Sequence, residues 1–184
     1  GNVNDPAFHE LLIRWFQWAV FTPVLRMHGY REPQIQPPER YRDGIPQCNS
    51  GSPNELWSYG EANFAIMQRW LSVREKLRPY IDALYENAHR QGDPLMRPLF
   101  WHYPQETQSW ETEDQYLFGE DLLVAPVMHA GQREREVWLP AGNGWLALNG
   151  ERYAGGERIT VPAALETIPV FIREGSPLVQ TLLS

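Results

Sequence analysis

The 184-residue chain is long enough for one domain, or one domain and part of another, at roughly 100–200 residues per domain. Hydrophobic residues at 42% and charged residues at 21% are ordinary globular usage and exclude wholesale disorder. Sixteen Lys+Arg against 23 Asp+Glu leave a formal charge of −7 with no basic cluster, which argues against nucleic acid or an anionic membrane surface as partner.

No run of 18 apolar residues is present, so no membrane-spanning helix is expected. The opening residues, GNVNDPAFHE, have neither a basic stretch nor an apolar core, so no signal peptide is expected there. These features leave the compartment open. The single cysteine, Cys48, can form neither an internal disulfide nor a cysteine-based zinc site. Aromatic residues reach 12%, with eight Trp. Most such rings fill cores, but Trp also stacks on flat faces such as sugar rings.

Asp5-Pro6 reads as a helix start, an acidic N-cap followed by proline in the first turn. Phe8, Leu11, Leu12, Trp15 and Ala19 form one apolar stripe, with Phe16 and Trp18 off it. The helix therefore expects cover on two faces, with Trp15 and Trp18 in the core, and it ends at Thr22-Pro23. Residues 29–56 carry five prolines and little periodicity, a loop of a length that is functional or disordered. Ser58 and Glu61 read as a capping box opening a second helix. Its apolar positions are Ile66, Trp70, Val73, Leu77, Tyr80, Leu84 and Ala88. Pro79 should kink or divide it into 59–78 and 79–90, and Gly92 should stop it.

Short apolar runs follow at 95–101, 121–128, 135–139, 144–148, 158–161, 168–173 and 177–182, separated by turn residues. That spacing reads as a β-sandwich or barrel. The boundary between the halves is placed in the polar stretch 104–119. The helical half is apolar on several sides and has no strands of its own to cover it, as at the end of a larger body.

Several stretches together resemble glycoside hydrolase family 31, whose members are retaining α-glucosidases, α-xylosidases and relatives. ELLIRWFQWAVFTPVLRMHG (Glu10 to Gly29) is similar to the late part of that family's catalytic barrel. LRPYIDALYENAHRQGDPLMRPLFWHYP (Leu77 to Pro104) is similar to its last barrel helix and the segment after it. DQYLFGEDLLVAPVMHAG (Asp114 to Gly131), REVWLPAG (Arg135 to Gly142) and IPVFIREGSPL (Ile168 to Leu178) are similar to its proximal C-terminal β-domain. The insertion Pro33–Pro53 matches least. The resemblance implies an α/β plus all-β architecture. Residues 1–115 close a (β/α)8 barrel, and 116–184 form all or part of a small antiparallel β-sandwich.

The resemblance also implies what the chain lacks. The family's nucleophile and acid/base are two Asp residues that precede the segment Gly1 would match. A retaining glycosidase holds two carboxyls about 5–5.5 Å apart. The acids before residue 104 are scattered singly, so no catalytic residue is expected in this chain, which alone should be inactive. What carries over is His28, in LRMHG, which the family places on the last barrel strand to bind hydroxyls of the sugar in the −1 subsite. A neutral imidazole offers one donor and one acceptor for that task. Arg26 shares its face of an extended strand and is a weaker substrate-binding candidate, better read as support.

Further candidates have plainer readings. Tyr30, Arg31 and Glu32 line the site mouth or a solvated loop, and Trp57 stacks an outer sugar or caps a helix. His89 and His102 lack metal-ligand spacing and read as surface or structural, and His129, beside a turn, reads as solvated. Asp121 reads as a turn acid, and Arg97 as a residue holding barrel to β-domain.

The expected partners are an oligosaccharide or other α-glycoside and the N-terminal remainder of the same enzyme. Nucleic acid and membrane are not expected, a homo-oligomer is left open, and no cofactor or metal is implied. Two other functions compete. A free-standing carbohydrate-binding module would bind sugar through exposed Trp138 or Trp145. A non-catalytic interaction domain would use the helical apolar surface as its interface.

Overall fold

The computed structural model describes residues 1–29, 31–34 and 51–183. The expectations for Tyr30, for Cys48 and for most of the 33–53 insertion lie outside the described residues. Helix α1 (Pro6–Val20) starts as anticipated, with the Asp5 carboxylate accepting from the Ala7 N–H at 2.9 Å and Pro6 in the first turn. Its buried face is Leu12, Ile13, Phe16 and Val20 rather than the anticipated stripe. Trp15 is 67% exposed and Trp18 39%, so neither is core in this chain. A helix apolar nearly all round has no unique phase, and the neighbours available decide which side is covered.

A 3-10 turn over Leu56–Tyr59 precedes α2 (Glu61–Lys76). The capping box does not form. Ser58 lies inside the 3-10 turn and its hydroxyl donates to Glu55 at 3.1 Å, while Gly60 takes the cap position at φ 87°. The division at Pro79 is present: α3 runs Arg78–Gln91 and ends on left-handed Gly92, whose N–H bonds the Ala88 carbonyl. Met67, Trp70, Leu77, Ile81 and Leu84 are buried along this pair. Among the described residues no helix is long and apolar enough to cross a membrane.

The strands are β1 (Met96–Arg97), β2 (Tyr116–Phe118), β3 (Leu122–Val124), β4 (Glu134–Leu139), β5 (Trp145–Ala147), β6 (Arg152–Tyr153), β7 (Glu157–Pro162) and β8 (Val170–Arg173). A short helix α4 (Thr107–Glu111) lies between β1 and β2. One sheet has the order β1-β2-β3-β8-β5-β6 and a second pairs β4 with β7, every pairing antiparallel. The pairing of β1 with β2 draws residues 96–97 into the six-stranded sheet. The run 95–101 gives only that short strand and a 3-10 turn over Leu99–Trp101. The run expected as a strand at 177–182 is instead helix α5 (Leu178–Leu183). Ser176 caps it by accepting from the Leu178 N–H, and Leu178 packs into the helical core.

The six-stranded sheet is covered on both faces. Phe118, Leu122, Val124, Val170 and Ile172 pack against the helices. Their alternate neighbours Leu117, Leu123 and Phe171, with Trp145, pack against Val137, Leu139 and Val161 of the small sheet. This two-sided burial explains why DLLVA and VFI are continuous apolar runs, not alternating ones.

Polar groups reinforce the junction. Arg14, 7% exposed, reaches from α1 into the β-domain loops and donates to the carbonyls of Ala163 (2.8 Å), Ala164 (3.1 Å), Thr167 (2.7 Å) and Gln132 (3.3 Å). Gln17 donates to Leu165, and Trp70 to Glu166. Tyr80 donates to the Phe118 carbonyl and Tyr116 to that of Phe21. Burial raises both phenols far above their usual range. Arg97, expected to hold the two halves together, bonds the Pro94 carbonyl and His102, lies near Asp93, and reaches past residue 115 to Glu120 at 3.7 Å. Arg14 makes the more extensive crossing.

Candidate functional site

The chain leaves α1 through a turn whose carbonyls are held from outside. Arg74 of α2 donates to Val20 (2.7 Å) and Pro23 (2.8 Å), and Tyr85 of α3 also donates to Pro23 (3.0 Å). Burial at this post lowers the pKa of Arg74. The next residues alternate. Leu25 and Met27 turn inward onto the helical core, while Val24, Arg26 and His28 are exposed on the opposite side. Period-two alternation is the signature of an extended segment with one covered face.

No ladder pairs residues 24–28 among the described residues, so the strand expected to carry His28 is extended but unpaired here. Nearby, Gly1–Val3 and Glu32 do meet in an isolated parallel bridge, with Val3 N–H to Glu32 O at 3.0 Å and Glu32 N–H to Gly1 O at 2.8 Å. Parallel pairing is the barrel arrangement, whereas every strand of the β-domain is antiparallel.

His28 lines a cavity of about 520 Å3 together with Trp15, Trp18, Val24, Arg26 and Met96. That volume suits a small molecule. Arg26 Nη2 lies 3.4 Å from His28 Nδ1. No Asp or Glu is found among the described lining residues, so they supply no carboxylate as nucleophile or general acid. Trp57, 67% exposed, borders a neighbouring hollow with Gly29 and Ser52.

Arg31, expected at the site mouth, donates from Nε to the Tyr59 hydroxyl and lies over the Phe8 ring, 5.2 Å from its centroid. Asp121 is a junction acid as anticipated: it accepts from Arg173 at 2.6 Å, and its N–H bonds Tyr80. His102 is structural; burial, then the Arg97 charge beside it, lowers its pKa. Among the described residues no group of three His, Cys, Asp or Glu could hold a metal ion. Trp145 is wholly buried, and half-buried Trp138 donates to Glu106, so neither is the exposed sugar-binding platform expected of a β-module.

Arg14 and Arg74 escaped the sequence reading. Each is one arginine among many in a helix, and its role depends on which carbonyls the distant chain brings to it.

The fold and cavity define a helical body joined to an antiparallel β-domain, with an exposed face at Val24, Arg26 and His28 and, among the described residues lining the cavity, no carboxylate. Comparison with protein families agrees. The "Glycosyl hydrolases family 31 TIM-barrel domain" model matches residues 1–84, and the "Glycosyl hydrolase family 31 C-terminal domain" model matches residues 92–178. The chain belongs to glycosyl hydrolase family 31, as the end of its barrel domain and its C-terminal domain.

An α-xylosidase of this family from a soil metagenome, solved in complex with xylose, superposes with a TM-score of 0.94 at 56% identity, over 99% of this chain and 27% of that one. The α-xylosidase of Saccharolobus solfataricus is 31% identical over 97% of this chain and 22% of its own length. The sulfoquinovosidase of Agrobacterium fabrum is 37% identical over 96% and 24%. The chain thus spans about a quarter of the length of these relatives.

Proposed function

We propose that the chain is part of a retaining α-glycosidase that hydrolyses terminal α-linked xylosyl or glucosyl residues. It supplies binding and scaffold groups, and the catalytic carboxylates lie elsewhere in the enzyme. The single observation that carries this reading is the exposed Val24-Arg26-His28 face beside uncovered Trp15 and Trp18, with no carboxylate among the described residues of the cavity they line. A binding face rimmed by bare tryptophan is a surface made to meet further protein. His28 is the residue that hydrogen-bonds sugar hydroxyls, Arg26 supports it, and Trp57 stands where a second sugar could stack. The 56%-identical α-xylosidase favours a xylosyl substrate.

The test is a chimera in which this chain replaces the matching quarter of the soil-metagenome α-xylosidase. The chimera should hydrolyse an aryl α-xyloside, whereas the chain alone should not. His28→Ala should lower kcat/KM by about 10- to 100-fold, the worth of one or two hydrogen bonds to a bound sugar. A chain active by itself, or a His28→Ala chimera as active as its parent, would overturn the proposal.

A further inference from the structure

The contact between Arg26 and His28 determines more than proximity. A guanidinium has five N–H donors and no acceptor. Where Arg26 Nη2 meets His28 Nδ1, at 3.4 Å, it can only donate, so a hydrogen bond there requires a lone pair on that nitrogen. In a neutral imidazole a lone pair on Nδ1 places the proton on Nε2. Among the described residues Nε2 itself has no hydrogen-bond partner. The other arginine on this cavity, Arg31, is already committed to Tyr59 and Phe8 and does not compete.

We infer that Arg26 is a positioning residue that holds neutral His28 as the Nε2–H tautomer and so makes His28 a hydrogen-bond donor to the cavity. The extended backbone sets this up, because residues two apart share a face at strand spacing. The consequence rests on the sugar-binding reading proposed above. A sugar hydroxyl at His28 accepts through its oxygen, and its own proton must go to an acceptor elsewhere. His28 then discriminates for an oxygen lone pair at that position, and a ligand presenting only a donor there is rejected. Setting a histidine's tautomer through the partner of its other ring nitrogen is a general device.

The experiment reads the tautomer directly. Long-range 1H–15N correlation spectra of the 15N-labelled chain are recorded without sugar, at a pH where imidazole is neutral. A His28→Ala spectrum identifies the His28 signals among those of the five histidines. Wild type should show a protonated Nε2 and an unprotonated Nδ1. Arg26→Leu should shift the tautomer ratio toward Nδ1–H by about 2- to 10-fold, the bias expected of one hydrogen bond. A wild-type ring protonated on Nδ1, or an unchanged ratio in Arg26→Leu, would overturn the inference. Arg26 is exposed, so the variant should keep its fold, which the remaining histidine signals check. Since no sugar is present, this result stands or falls separately from the chimera's activity.

Discussion

Replacing Arg14 with methionine tests what joins helix α1 to the β-domain. The side chain is buried, and two of its four carbonyl contacts are short, 2.8 Å to Ala163 and 2.7 Å to Thr167. A hydrogen bond from a charged donor contributes about 1.5–3 kcal/mol. Counting only the two short ones gives at least ~3 kcal/mol. An opposing effect exists: burial of the guanidinium is unfavourable, as its lowered pKa reflects, and one nitrogen, Nε, has no partner. Methionine removes that penalty and keeps most of the apolar stem, but it leaves four carbonyls without their donor.

The net loss should therefore be about 2–4 kcal/mol. Urea unfolding of the chain, with m of about 2 kcal/mol/M, should show a midpoint lower by ~1–2 M. Arg14→Lys, with charge but no fork, should fall between the two. A methionine variant within about 0.5 kcal/mol of wild type, the range of an ordinary surface substitution, would refute the clamp.

Two further outcomes are expected. Gly119→Ala should cost about 2–4 kcal/mol, because φ is 67° and a Cβ there would press on the Tyr80 hydroxyl and Leu84. Gly150→Ala has a similar φ of 87° in open space and should cost only about 1–2 kcal/mol by the same denaturation assay; equal losses would discount the contact with Tyr80. Glu10 bridges α1 to Arg133 at 2.6 Å and to the Gly131 N–H, and the Arg133 hydrogen bond lowers its pKa. A depressed carboxylate contributes stability above its unfolded value and loses it as pH falls through the folded value. Wild type should thus lose a modest increment, below about 1 kcal/mol, beneath pH ~4.5, and Glu10→Gln should lack that slope. Parallel acid limbs would count against it.

Local signals were legible where chain-local chemistry decides. Asp5-Pro6 opened α1, Pro79 divided α2 from α3, and Gly92 closed α3. Six of the seven anticipated β runs contain or overlap the strands β1, β3, β4, β5, β7 and β8. Failures came where local chemistry had rivals. Ser58 and Glu61 satisfy a capping pattern, but Ser58 found Glu55 within its own turn. Leu178–Leu183 reads equally as strand or helix, and the Ser176 hydroxyl accepting from the Leu178 N–H caps it as a helix. Tyr116–Phe118 is a strand hidden in a polar stretch, visible only through its partners β1 and β3.

By itself the sequence determined the elements whose start and stop residues act within one turn, the kinship with family 31, and His28 as the group to watch. Tertiary structure alone decided which side of α1 is covered, that Arg14 crosses the junction, and that Trp145 is core. Capping and breaking depend on neighbours a few residues away. Burial and long-range hydrogen bonding depend on carbonyls and side chains some 150 residues distant, as from Arg14 to Ala163 and Thr167, and no local pattern encodes where these will lie.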